Sequence, residues 1–476
     1  RDSAYWDTEI KRAQQQGLAD YPVFTRKRAT DVSYLACARA ILAAGDRLYP
    51  QFATHNAYTI ACILELADGR RDFEFQRLHG MGEALYAQVR AMAPEVACRV
   101  YAPVGIHAEL LPYLVRRLLE NGANTSFVRR VDDRRYSVEE LVSDPVASLR
   151  VLRERRHPDI PRPPDLYQPQ RRNSQGVNLN DPLSLERLAA ELQQAALGHG
   201  RAAVRAGGTA SRGGARTVYC PADRRLTVGE VVDAGAEDVP RAYARAAAAA
   251  PQWAALPVER RAALLEALAD ALEGARAELV HLAVREGGRC VPDAVAEVRE
   301  AVDFCRYYAA QARRDLAEQS LPGPTGESNR IGLHGRGVFA CISPWNFPIA
   351  IFTGQVAAAL VAGNCVVAKP AQQTPLTAAR LVEAMHGCGI PEDVVQLLPG
   401  ASGVLGEALL RDPRLAGVVF TGSTQTAWRI NRTLAARDGP IVPLIAETGG
   451  QNAMIVDSSA LPEQVVADVL RSAFNS

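Results

Sequence analysis

Two groups of residues in this 476-residue chain have types and spacings suited to chemistry, and they lie far apart. In the first, Tyr113, Arg116, Arg117 and Glu120 recur at i, i+3, i+4 and i+7, sharing one face of a helix after Pro112, while Leu114, Val115, Leu118 and Leu119 take the other. That polar face has two readings. One is a solvated stripe in which Arg116 and Glu120 form an ordinary i,i+4 pair worth about 0.3 kcal/mol. The other is a grip in which two adjacent guanidinium forks hold a carboxylate and Tyr113 closes over it. Spacing alone does not separate them.

The second group begins at Pro344-Trp345-Asn346-Phe347-Pro348, directly after an apolar run. There the Asn346 amide sits at a strand end, placed to donate to a developing oxyanion, although an asparagine in a turn is equally a turn former. Lys369-Pro370 ends the next apolar run, Gly400 and Gly406 bracket the following loop, and Phe420-Thr421-Gly422-Ser423 opens a helix. Backbone donors, hydroxyls and a cation at strand ends suit the pyrophosphate of a dinucleotide, but the spacing is not Gly-x-Gly-x-x-Gly and is weak evidence by itself. Glu447-Thr448-Gly449-Gly450 closes the group with a carboxylate able to serve as a general base.

The elements that must carry these residues follow from the apolar pattern. Up to about Val128, strand candidates Gln51 to Thr54, Cys98 to Tyr101 and Thr125 to Val128 alternate with helical stretches, which implies a parallel α/β sheet. Only about half of an eight-unit barrel fits, because a whole one takes roughly 250 residues. Residues 131–184 hold Arg153-Glu154-Arg155-Arg156 and then Pro158, Pro161, Pro163, Pro164 and Pro169, the composition of a connector with little core. Beyond Leu185 the chain is alanine-rich and helical, including Arg241 to Ala250 and Val258 to Gly274. Alternation resumes at Gly337 with strands Val338 to Ile342, Cys365 to Ala368, Val394 to Leu398, Gly417 to Phe420 and Pro443 to Ala446. Near-continuous apolar strands suit a parallel sheet covered on both faces, with functional groups at its carboxyl ends. No internal repeat relates the two halves.

Length favours at least two domains, and a net charge of +1 gives no electrostatic reason to expect nucleic acid or a strongly anionic partner. The nine cysteines are scattered and never paired as Cys-x-x-Cys, which argues against a disulfide framework or a zinc site and fits a reducing cytoplasmic setting. Arg1 to Tyr5 is not a signal peptide, and no apolar run approaches the roughly 20 residues of a membrane helix.

The wording of the first region goes further than its spacing. Tyr5-Trp6-Asp7, Ala53-Thr54-His55-Asn56, Tyr101-Ala102-Pro103-Val104-Gly105 and Tyr113 through Phe127 together resemble the proline dehydrogenase domain of the proline utilization A family, over essentially all of residues 1–130. The resemblance implies the C-terminal half of a (β/α)8 barrel that holds FAD and oxidises L-proline. By position, Arg116 and Arg117 would bind the proline carboxylate, and Tyr5, Leu78, Tyr101 and Tyr113 would wall the pocket. Trp6, Thr25, Arg26, Lys27, Thr54, His55, Asn56, Gln76, Glu120 and Ser126 match the flavin contacts. Taken singly, His55 reads as a structural histidine. The family's Lys-Gly before Ala-Tyr-Trp-Asp is replaced by Asp2-Ser3, and a carboxylate there disfavours an anionic reduced flavin.

From about Leu185 to Ser476 the second group resembles the aldehyde dehydrogenase superfamily, and Glu447-Thr448-Gly449-Gly450-Gln451-Asn452-Ala453-Met454 is similar to its L-glutamate-γ-semialdehyde dehydrogenase branch. The resemblance implies a Rossmann-like NAD-binding fold in which Asn346 stabilises the oxyanion and Glu447 is the base. Lys369 and Gln372 would meet the adenosine ribose, and Ser343, Trp345, Gly406, Gly422 and Ser423 would line the NAD site. Gln372 stands where the family commonly has glutamate, which relaxes discrimination against NADP. Cys341 and Cys365 lie in expected strands and read as core, and the family's nucleophile position falls beyond Ser476, so this stretch alone is not expected to oxidise aldehydes.

The expectation is therefore an internal fragment of a bifunctional enzyme: an α/β half barrel over 1–130, a connector over 131–184 and a truncated NAD-binding part over 185–476. L-proline and glutamate semialdehyde are the expected substrates, with FAD and NAD as cofactors and a homo-oligomer as the assembly. DNA binding or membrane association, known for some family members, is assigned to regions outside this stretch. Two other classes stay open: a non-catalytic regulatory or ligand-binding protein, and an aldehyde dehydrogenase with a vestigial flavin domain.

Overall fold

The computed structural model describes residues 7–107, 110–111, 113–115, 127–133, 135–195, 200–202 and 214–474. The chain divides into two compact units, one of residues 1–15 and 20–163, the other of residues 16–19 and 164–476.

In the first unit, strands β1 (Gln51–Ala53), β2 (Glu74–Leu78) and β3 (Ala97–Tyr101) form a parallel sheet in that order. Helices Lys27–Ala43, Ala57–Leu66 and Glu83–Met92 alternate with them, as the apolar pattern requires. The core is an aromatic cluster of Phe52, Phe73, Phe75 and Tyr86, in which Phe73 meets Phe75 edge-on at 5.5 Å between ring centroids. Of the expected strand Thr125 to Val128, Thr125 and Ser126 lie outside the described residues, while Phe127 and Val128 begin the helix Phe127–Asp132. Short β-favouring runs do not decide between strand and helix, and there the local preference did not prevail. β2 was absent from the sequence reading; its buried carboxylate, Glu74, disguises a strand otherwise carried by Phe75 and Leu78.

Residues 131–184 carry more structure than a connector needs. Helices Val138–Leu141 and Pro145–Arg150 belong to the first unit, the former with a Ser137/Glu140 capping box. Further on, Arg171 and Ser174 both hydrogen-bond the Asp303 carboxylate, each at 2.7 Å, within the second unit. Such polar anchoring leaves no apolar periodicity for a sequence reading to find.

The second unit has a helical layer and a sheet layer. β4 (Gly200–Ala202), β5 (Ala215–Tyr219) and β6 (Thr227–Val232) make a small mixed sheet, and β7 (Gln319–Leu321) pairs antiparallel with β8 (Asn329–Ile331). These two sheets interrupt the alanine-rich helical stretch expected before Gly337. Helices Asp238–Ala255, Val258–Gly274, Arg276–Arg285 and Val291–Asp315 supply much of the core; Ala262, Leu265, Ala269 and Leu272 form one buried stripe at helical spacing.

The main sheet contains β9 (Val338–Ile342), β10 (Cys365–Lys369), β11 (Val395–Leu397), β12 (Leu415–Thr421) and β13 (Leu444–Glu447), all parallel, in the order β11-β10-β9-β12-β13. Every residue of β10 is buried, as its continuous apolar run requires of a strand covered on both faces. Cys341 and Cys365 are core residues whose thiols burial pushes far up, to about 12 for Cys365. All nine cysteines are free thiols.

Candidate active site

Strand order reverses between β9 and β12, so the loops after these strands diverge and leave a crevice at their carboxyl ends. A cleft of about 1430 Å³ opens there. It is lined by Ser343, Trp345 and Asn346 after β9, by Lys369 and Gln372 at the end of β10, by Gly406, and by Gly422 and Ser423 after β12. The expected dinucleotide residues thus share one surface. Gln355 ties the two diverging strands together beneath it, donating to the Ile342 carbonyl at 3.3 Å and to Thr421 Oγ1 at 3.0 Å.

Each group has a local cause. Ser423 caps the helix Thr424–Ala435, its Oγ accepting from Thr426 N at 3.3 Å, so that helix begins at the cleft. Gly422 N donates to the Glu447 carbonyl at 3.1 Å; a Cβ at Gly422 would come within 2.7 Å of the Phe420 ring, so only glycine lets the backbone run so close. Lys369 is 3% exposed, its Nζ donating to the Pro370 carbonyl at 2.9 Å. Burial brings its pKa down to about 8, with Asp233 pulling weakly the other way. Asp233 is itself paired with Arg216 at 3.1 Å, and Arg216 also donates to the Gln372 carbonyl at 3.3 Å.

Two glutamates from the helical layer fix the loops that form the cleft floor. Glu286 is buried and accepts from Leu376 N at 2.7 Å, Thr377 N at 2.8 Å and Thr377 Oγ1 at 2.6 Å, capping the helix Pro375–Gly387 after β10. Glu297 accepts from Ile349 N at 2.6 Å and Ala350 N at 3.2 Å at the start of the helix Ala350–Val361 after β9. Burial pushes both carboxyls up to about 7 despite these donors. The sequence reading missed this pair, along with Gly287, Gly288, Arg289 and Cys290, which line the cleft from the helical side. The only signal was an isolated Glu-Gly-Gly-Arg-Cys between two helical patterns. Burial pushes the Cys290 thiol up, with Asp293 adding to the shift, the opposite of an activated thiolate.

Glu447 is the last residue of β13, opposite Thr421 in register. Its side chain is exposed, and the cleft is lined by the neighbouring Thr448 and Gly449 instead.

In the first unit, Thr54, Leu78 and Tyr101 stand at the carboxyl ends of β1, β2 and β3, with Leu78 and Tyr101 cross-strand partners. Gln76 lies on β2 opposite Ala53 and donates to Glu74 at 2.8 Å. His55 Nε2 accepts from Leu78 N at 3.2 Å. Asn56 caps the helix Ala57–Leu66, accepting from Tyr58 N at 3.0 Å. Thr25, Arg26, Lys27 and Asn56 line one cavity of about 480 Å³, where Arg26 Nε donates to the Arg156 carbonyl at 2.9 Å and Lys27 pairs with Asp31. A cavity lined by Arg26, Lys27 and Arg28 at a helix start suits the phosphates of a flavin dinucleotide. Tyr113 is helical; Asp2, Tyr5, Trp6, Arg116, Arg117, Glu120 and Ser126 lie outside the described residues.

A five-stranded parallel sheet with a cleft at its switch point defines a dinucleotide-binding α/β protein. The chain belongs to the aldehyde dehydrogenase family, which matches residues 209–476, and residues 3–130 match the proline dehydrogenase family. Both parts occur in the same order in PutA relatives. The chain is 50% identical over 489 aligned positions to the bifunctional protein PutA of Klebsiella aerogenes, covering 99% of this chain and 36% of that protein. A crystal structure of a Bradyrhizobium japonicum proline utilization A (PutA) mutant is 51% identical with a TM-score of 0.89, over 99% of this chain and 45% of that one. The 1-pyrroline-5-carboxylate dehydrogenase 2 of Bacillus subtilis is 35% identical over 257 residues, 53% of this chain and 50% of that enzyme. The chain thus spans little more than a third of its curated PutA relatives.

Proposed function

We propose that this sequence serves bifunctional proline catabolism. In this reading residues 1–130 take part in FAD-dependent oxidation of L-proline to Δ1-pyrroline-5-carboxylate, 131–184 connect, and 185–476 take part in NAD-dependent oxidation of L-glutamate γ-semialdehyde to L-glutamate. The observation that carries it is the single cleft in which Asn346, Lys369 and the Gly422-Ser423 turn meet at the switch point of a parallel sheet.

The cleft residues divide the labour physically. Bound NAD supplies the hydride acceptor. Lys369 would offer its buried ammonium to the ribose hydroxyls, and the capped helix start at Ser423 would serve the pyrophosphate. Asn346 donates to the oxyanion of the aldehyde adduct, a contact typically worth about 3 to 4 kcal/mol in the transition state. Glu447, at the strand end next to the cleft-lining Thr448 and Gly449, is in this reading the base that would activate the water releasing the acid product. In the first unit, bound FAD would accept hydride from proline, while Leu78, Tyr101 and Tyr113 wall the ring and Arg116 and Arg117 hold its carboxylate. A homo-oligomer in the cytoplasm is the assembly proposed; among the described residues no helix is long and apolar enough to cross a membrane.

Calorimetric titration of the chain with NAD⁺ tests the reading. Saturable binding that is lost in Lys369→Met supports it, whereas no heat at millimolar NAD⁺ refutes the dinucleotide assignment. For the first activity, a longer protein carrying this sequence should show a flavin spectrum that proline bleaches.

A further inference from the structure

The turn that carries Asn346 is gripped from sides that its own strand does not supply. Glu297 Oε1 holds the main chain immediately after it through Ile349 N and Ala350 N. The other carboxylate oxygen, Oε2, makes no hydrogen bond and lies 3.6 Å from Arg289 Nε, which is also unbonded. The Arg289 guanidinium lies over the Phe347 ring, 4.5 Å from its centroid. Gly288, at φ +71°, turns the chain so that Arg289 reaches the cleft, and a Cβ on Gly287 would press within 2.8 Å of the Ala283 carbonyl and 3.6 Å of Pro348 Cγ. Phe347, Pro348 and the amides of Ile349 and Ala350 are thus each met by the segment from Gly287 to Glu297.

We propose that Arg289 and Glu297 are positioning residues that act as a pair to fix the turn bearing Asn346, Arg289 through the Phe347 ring and Glu297 through the following helix start. The role rests on the reading of Asn346 as the oxyanion donor, since a donor aimed at developing charge acts only if its backbone is held in advance. Neither residue touches the reacting atoms. Their two unbonded atoms face each other at 3.6 Å, just beyond hydrogen-bond distance, while the remaining contacts of each go to the turn and the helix start after it.

The test measures amide hydrogen exchange of the whole chain, together with the emission of Trp345, which is half exposed on the same turn. Arg289→Met should speed exchange over residues 345–347 about tenfold, the loss expected for one contact of about 1.4 kcal/mol, and red-shift the Trp345 emission. Arg289→Lys, which keeps a cation over the ring, should recover most of both changes. Glu297→Ala should speed exchange at Ile349 and Ala350 by at least about tenfold, while Glu297→Gln, which keeps an acceptor, should protect them. β9 and β12 should stay as protected as in the wild type. Exchange over 345–350 that is unchanged in Arg289→Met and Glu297→Ala, or that rises only in step with β9 and β12, overturns the positioning role. Titrating the wild-type chain with NAD⁺ decides the functional reading separately, because the exchange measurement needs no nucleotide.

Discussion

Replacing Lys369 with methionine should move stability and nucleotide binding in opposite directions. The ammonium is 3% exposed and accepted by one carbonyl, and burial lowers its pKa from the ordinary lysine value of 10.5 to about 8. A depression of that size means the charged form is disfavoured in the folded state by about 3 kcal/mol relative to the unfolded chain. Because the folded pKa lies below the unfolded one, the cost is present in full below about pH 8 and is relieved as pH rises from about 8 to the ordinary lysine value. Wild-type stability should therefore rise across that window. Lys369→Met keeps the stem and drops the charge, so it should be flat there and more stable at pH 7 by up to about 3 kcal/mol. By the proposed function the same change would remove a charged donor to the ribose, worth about 1.5 to 3 kcal/mol, and should weaken NAD⁺ binding roughly 10- to 150-fold. Urea unfolding can be followed by tryptophan emission, since Trp253, Trp345 and Trp428 all lie in the second unit, with calorimetry for the nucleotide. A variant that unfolds at lower urea than wild type at pH 7, or that binds NAD⁺ unchanged, would refute the reasoning.

Three further outcomes are expected. Because Glu286 titrates near 7 in the folded state, above its ordinary value of 4.5, its contribution is full below about pH 4.5 and fades as pH rises through about 7; Glu286→Gln should lose that part of the pH slope in urea midpoints measured at pH 5 and 8. In the first unit, Arg99 chelates the buried Glu74 at 2.8 and 2.7 Å and, with Gln76 and Gln51 assisting, holds its pKa down to about 2. Arg99→Ala should lower stability at pH 7, modestly because Arg99 is itself 63% exposed, and the difference from wild type should shrink as pH falls from about 4.5 toward 2, as thermal melts across that range would show. Gly422→Ala should lower stability by about 1 to 3 kcal/mol and weaken NAD⁺ binding, because its Cβ meets the Phe420 ring; an unshifted melting temperature would count against that contact.

The main sheet was legible because its strands are near-continuous apolar runs ended by glycine or polar turns, and β9 has the expected ends, Val338 and Ile342. The helix Val258–Gly274 was read with its observed bounds for the corresponding reason, a buried stripe at helical spacing. What escaped was held by polar or non-local forces. β2 hides Glu74 in its interior, the segment around Ser174 is pinned by Asp303, and β4 to β6 pair only after long-range closure. In the cleft, Asn346, Lys369 and Ser423 were visible as strand-end residues. Glu286, Glu297 and Arg289 were not, because each looks like an ordinary solvated charge until the fold sets the two glutamates against other helix starts and the arginine over the Phe347 ring.

That borrowing sets where this platform can be cut. Ile349, Ala350, Leu376 and Thr377 present four main-chain amides whose acceptors come from residues 286 and 297, upstream of the sheet's first strand. A graft or recombinant joined between Asp315 and Val338 would hand those amides to whatever a foreign helical segment carries at the two positions. If it carries aliphatic side chains there, the transplanted strands keep their hydrogen-bonded ladder, but both loops beside the nucleotide start from unsatisfied donors. Junctions placed before Glu286 keep donor and acceptor on the same inherited piece.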